Sequence, residues 1–157
     1  NYVSCFLVTN DLLKTKPKNL ELLEMSAVSL ESMGALEKSK EAYEKLFAMT
    51  NDNYHAYKLA GIEFRMNQNE GAYATIKKAG QISGNEGLKI TFQVNENYNQ
   101  NVELKAAIAY LEGLIAVSLN KNVEAKVSFE RAIQIFPDFV LAKSKLEILN
   151  AKQAEKK

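Results

Sequence analysis

The sequence predicts an all-α fold, a solenoid of stacked helix–turn–helix pairs with one short β-hairpin insertion. Three observations lead there. A pattern of small and bulky residues recurs at a fixed period, each period holds two amphipathic helical stretches, and one segment, Glu86 to Lys105, alternates apolar and polar residues instead.

The repeats align as Leu20–Asn51, Asn53–Gly84 and Ala106–Pro137, each with two helical patterns around a short polar turn. The second helix of each carries three marks. A small residue (Ser39, Ala72, Ala125) is followed four positions later by a bulky one (Tyr43, Ile76, Phe129). Three positions further comes Leu46, Ala79 or Ala132. Offsets of four and three hold these residues on one helical face. Small side chains there let helices approach closely, and the bulky one fills the gap. Ser39 to Ala72 is 33 residues and Ala72 to Ala125 is 53, so the second interval holds one period plus the insertion.

This pattern resembles the tetratricopeptide repeat, a helix–turn–helix unit of about 34 residues. The third segment matches best, with Gly113, Ala125, Phe129, Ala132 and Pro137 in family slots; Gly34 takes the turn slot of the first. The second is the weakest, with Ala60, Asn67 and Gly84 where the family favours other residues. The resemblance implies a right-handed superhelical α-solenoid whose first helices line a concave, protein-binding groove.

Reading backwards, Cys5, Thr9, Leu12 and Pro17 stand 34 residues before Ser39, Tyr43, Leu46 and Asn51. Residues 1–19 therefore read as the second helix of an upstream repeat. The expectation is that the native protein continues upstream, that Cys5, Phe6, Thr9 and Leu12 pack on the first full repeat, and that the opposite flank is open to self-association. After Pro137 a further helix is expected, with Phe139, Ala142, Leu146 and Leu149 on one face and a Lys-rich solvated side that frays after Asn150. The expected layout is one solenoid domain over 1–157: half-repeat 1–19, repeats 20–52, 53–85 and 106–139, insertion 86–105, and capping helix 140–157.

Within the insertion, Leu88, Ile90, Phe92 and Val94 alternate with Lys89, Thr91 and Gln93, and an Asn-rich stretch precedes Val102 and Leu104. That is hairpin patterning. Two strands alone are marginal in water, so one face is expected to pack on neighbouring helices. A structural spacer is the favoured reading of this insertion over a binding element.

Twenty basic and 19 acidic side chains leave a net charge of +1, which offers no electrostatic case for nucleic acid. No apolar run reaches the ~18–20 residues of a membrane helix. Cys5 and His55, the single Cys and the single His, can build neither a disulfide nor a zinc site. Cys5 reads as a buried structural thiol and His55 as a solvated residue at a helix start. No glycine run forms a phosphate loop, and no triad can be assembled, so neither enzymatic chemistry nor a cofactor or metal is expected.

Carried over from the family slot by slot, the groove residues are Glu24 and Glu31 in the first repeat, Tyr54, Tyr57, Phe64 and Arg65 in the second, and Tyr110 and Leu114 in the third. The groove is expected to pass from an acidic end to an aromatic middle and to bind a protein or peptide, so the chain reads as a non-catalytic scaffold. Two alternatives stand beside this: a structural spacer or self-association platform in a larger cell-envelope protein, and a docking module of an upstream catalytic domain. The Asn- and Lys-rich composition leans toward a bacterial origin. The cell envelope or periplasm is the favoured compartment, with the cytoplasm as the other choice.

Overall fold

In a computed structural model describing residues 1–154, helix formation follows the predicted pairs. The elements run α1 (Tyr2–Thr15), α2 (Leu20–Ser32), α3 (Leu36–Thr50), α4 (Asn53–Arg65), α5 (Asn69–Gln81), β1 (Lys89–Asn95), β2 (Tyr98–Glu103), α6 (Leu104–Ser118), α7 (Asn122–Ile135) and α8 (Val140–Ala154). They form two compact units, Asn1–Thr75 and Ile76 onward, with the boundary inside α5.

The turn within each repeat is built the same way three times. Gly34, Asn67 and Asn120 take positive φ of 76°, 59° and 58°. The following amides of Ala35, Gln68 and Lys121 each donate back five residues, to the carbonyls of Leu30, Glu63 and Ala116, at 2.9 Å. This left-handed cap satisfies a carbonyl that the helix end would otherwise orphan. Glycine adopts it without strain, and asparagine is the side chain that tolerates it best.

All nine packing marks are fully buried: Ser39, Tyr43, Leu46, Ala72, Ile76, Ala79, Ala125, Phe129 and Ala132. Ser39 also donates its hydroxyl to the Ala27 carbonyl at 3.0 Å, so the small polar residue brings its own partner into the interface. In the first unit α1 packs on α2, α2 on α3 and α3 on α4. Its core gathers Leu23, Ala27, Tyr43, Leu46, Leu59 and Ile62.

In the second unit α6 packs on α7, α7 on α8, and the hairpin on α6. β1 and β2 pair antiparallel, from Lys89 opposite Glu103 to Asn95 opposite Tyr98. The inward residues Ile90, Phe92 and Val94 are half-buried and Val102 is fully buried, as the alternation predicts, whereas Leu88, the first residue of that alternation, precedes β1 and is exposed. Phe92 stacks edge-on against Tyr110, with centroids 5.6 Å apart, and lies 5.2 Å from Phe139. Gln100, buried on β2, donates to the Asp138 carbonyl and accepts from the Val140 amide at 3.1 Å. That amide begins α8, so the insertion caps a helix that comes 40 residues later in the chain.

Three sequence expectations are corrected here. Leu12 is exposed, and Leu13 is the residue that packs against the core, one position along the helix. Phe139 precedes α8 instead of lying within it. Helical order continues past Asn150 to Ala154; the expected cap at Lys156 and Lys157 lies outside the described residues.

Candidate functional site

α4 sorts its residues onto two faces. Asn53, His55, Ala56, Leu59, Ala60, Ile62 and Glu63 are buried. The rest, namely Tyr54, Tyr57, Lys58, Gly61, Phe64 and Arg65, are half-buried or exposed. Their spacing follows the helical period, so they form one continuous stripe. Four of the six are residues expected in the groove.

Asp52 fixes the start of this stripe. Its carboxylate accepts from the Tyr54 amide at 2.8 Å and from the His55 amide at 3.2 Å, capping α4. His55 is buried against this turn, not solvated as its sequence position suggested. Thr50 hydrogen-bonds the Leu46 carbonyl at 2.7 Å and His55 Nδ1 at 2.9 Å. Its single hydroxyl proton goes to the carbonyl, so the network assigns a proton to Nδ1. Nε2 then faces Glu24 Oε1 at 3.5 Å.

Glu24 and Glu31 approach from α2. Glu31 has both oxygens engaged: Lys58 Nζ lies 2.7 Å from Oε2 and Arg65 Nη1 lies 3.2 Å from Oε1. The acidic end and the arginine of the expected groove thus meet in one ion-pair network. Glu31 and Arg65 are 34 residues apart, one repeat period, so they occupy equivalent places on adjacent first helices. That spacing was a usable signal.

Beneath this network lies Tyr43 of α3, whose ring sits 5.8 Å from Lys58 Nζ. Its buried hydroxyl has no hydrogen-bond partner among the described residues. Burial first, then Glu31, Tyr54 and Glu24, hold it well above the ordinary tyrosine pKa of 10.0. Tyr54 is raised for the same reasons, burial leading and Glu24 next. Sequence reasoning placed Tyr43 among the packing marks and missed the hydroxyl. The signal was available, because the same slot holds apolar Ile76 and Phe129 in the other repeats.

A cleft of about 400 Å³ opens between α1 and α2, lined by Tyr2, Cys5, Glu21, Glu24, Met25 and Val28 among others. Cys5 is half-exposed on this cleft, not the buried thiol expected. The outer flank of α1 exposes Tyr2, Val3, Leu7, Val8 and Leu12.

In the second unit Tyr110 is buried among Phe92, Phe129 and Phe139, the last at 4.9 Å. This corrects its expected place in an open groove, because the hairpin covers it. Burial also raises its pKa. Leu114, one helical turn along, is half-buried. Glu112, buried nearby, is held by Arg131 and lies 3.9 Å from Lys77.

Among the described residues, no group of three or more His, Cys, Asp or Glu side chains is placed to hold a metal ion, and no helix is long and apolar enough to cross a membrane.

The tetratricopeptide repeat profile matches residues 106–139. No curated protein matches the chain. Among solved structures, MamA superposes with a TM-score of 0.78 at 19% identity, over 98% of this chain and 79% of that one. PilF of Pseudomonas aeruginosa gives 0.75 at 16% identity, over 94% of this chain and 59% of that one. The first tetratricopeptide domain of RPAP3 (Spaghetti), solved with the HSP90 peptide SRMEEVD, gives 0.68 at 17% identity, over 86% of this chain and 93% of that one. At these identities the likeness is one of fold. The fold class is an all-α solenoid of helix–turn–helix repeats. Residues 106–139 match a tetratricopeptide repeat, and the fold of the chain is that of these solved neighbours.

Proposed function

We propose that the chain is a protein-binding scaffold and that its first unit grips a partner segment along the α4 stripe. The observation that carries this is the division of α4: its fully buried face does not include Tyr54, Tyr57 and Phe64, which are half-buried, or Arg65, which is exposed. Aromatic side chains with few rotatable bonds bury large area at small entropic cost, and Tyr and Arg are enriched among binding hot spots. RPAP3, of the same fold, was solved with a peptide bound, which supports a peptide-binding use of such repeats.

The test is to recover a partner with the immobilised chain and measure its affinity for Tyr57→Ala and Arg65→Ala. Each should weaken binding by about thirtyfold, the cost of losing a hot spot of ~2 kcal/mol, with the helical circular-dichroism spectrum retained. Undiminished binding by folded variants would remove the stripe as the site.

A second reading, association of copies through α1, is supported by that helix's exposed apolar flank. Sedimentation of the chain and of its Leu7→Lys variant tests it. A concentration-dependent dimer that Leu7→Lys abolishes supports association; a monomer throughout removes it.

A further inference from the structure

The hairpin is closed along β2 and open along β1. On β2 the inward residues Gln100 and Val102 are buried, and Gln100 ties that strand to the start of α8. On β1 the inward residues Ile90, Phe92 and Val94 reach only half-burial, and among the described residues no third strand lies beyond them. The pairing fixes which backbone groups face outward. The Leu104 amide donates to the Leu88 carbonyl at 2.9 Å, one step beyond the register that sets Lys89 opposite Glu103. An antiparallel ladder exchanges its hydrogen bonds at every second position. Ile90 and Phe92 therefore bond β2, whereas the amides and carbonyls of Lys89, Thr91 and Gln93 point to the open edge. Among the described residues nothing bonds them there. Sheet edges are commonly blunted by proline, by charge or by a bulge. Here the ladder is regular up to the shift between Gln93 and Asn95, and residues 90–94 hold neither a charge nor a proline.

We propose that the outer edge of β1 takes an extended segment of a protein partner as a third, antiparallel strand. The surroundings state the chemistry of that segment. It exchanges backbone hydrogen bonds with Lys89, Thr91 and Gln93, so it needs an N–H, and no proline, at the facing positions. Its residues opposite Ile90 and Phe92 are apolar, because they cover the half of each that the fold leaves open. Charge sets its direction. Lys89 is exposed at one end of the edge and Glu96 just past the other, and neither has an ion-pair partner among the described residues. An antiparallel segment that begins basic and ends acidic meets both with opposite charge. This surface belongs to the second unit, and the inference does not depend on the α4 stripe.

The experiment is an amide-resolved NMR titration of the whole chain with the peptide acetyl-Ser-Lys-Val-Thr-Val-Glu-Ser-amide. In register, its Thr faces Thr91, its two Val face Phe92 and Ile90, and its Glu faces Lys89. The control peptide carries Pro in place of that Thr. The first peptide should shift the amides of Lys89, Thr91 and Gln93 and slow their hydrogen exchange, and the Pro peptide should do neither. Thr91→Pro removes an outward amide and leaves the β1–β2 ladder bonds in place. It should weaken the first peptide by about tenfold, the upper end for one lost hydrogen bond. No response at the β1 edge, an equal response to both peptides, or undiminished binding by folded Thr91→Pro would overturn the proposal. Should Thr91→Pro not fold, the comparison of the two peptides on the parent chain decides alone. Failure at the edge leaves the α4 reading standing, and loss of partner binding in Tyr57→Ala leaves the edge untouched.

Discussion

A Cβ atom on Gly113 would lie 2.5 Å from Cε1 of Phe129, inside any real contact distance. Gly113 and Phe129 are both buried, α6 against α7, so neither helix can yield cheaply. Gly113→Ala should therefore cost about 1–3 kcal/mol, the range for overpacking a tight core, read as a lower urea midpoint. This contact was legible beforehand: a glycine, a small residue and a large aromatic stood in their family slots. Tyr43 was legible only in part, since periodicity reports which face a residue occupies and says nothing of whether a hydroxyl finds a partner. It has a measurable consequence. In the unfolded chain Tyr43 ionises near pH 10, whereas in the fold burial and Glu31 keep it protonated to higher pH. The folded state then binds the proton more tightly. Its contribution is complete below the unfolded pKa and is lost as pH rises above it. Stability should fall as pH rises past about 10, and Tyr43→Phe should make that fall shallower. Tyr54 and Tyr110, raised in the same direction, leave a residual slope. An identical slope in the variant would refute the assignment.

At the scale of elements, the hairpin behaves as part of the second unit's core. Phe92 contributes to an aromatic cluster with Tyr110 and Phe139, and Gln100 caps α8. Phe92→Ala should cost about 3 kcal/mol, the low end for a core aromatic because Phe92 is only half-buried. A cost near zero would mean that the hairpin is a loose appendage. The strands themselves were readable from period-two alternation. Their landing place was not, because a surface insertion can pack on any neighbour, and this concealed the burial of Tyr110. The α7 marks support a parallel test. Ala132 is fully buried, and Ala132→Leu should destabilise by about 1–3 kcal/mol through overpacking. Unchanged denaturation would show that the register of α7 is wrong.

Across the whole molecule, the recurrence of three marks at one period was enough to anticipate helix pairs, turns and insertion, because a repeat fold writes the same packing problem several times. The same regularity explains the Glu31–Arg65 pair, one period apart. Recognition is harder to read, since the surface left over after packing is not constrained by the repeat. The stripe on α4 became visible only when burial separated its two faces. Whether a partner touches that stripe is the central claim. The most direct measurement places the photo-crosslinker p-benzoylphenylalanine in turn at Tyr57 on α4 and at Val123, an exposed residue of α7, and irradiates each with the recovered partner. The account predicts a crosslinked partner from position 57 and none from position 123; a crosslink at 123 with none at 57 would contradict it.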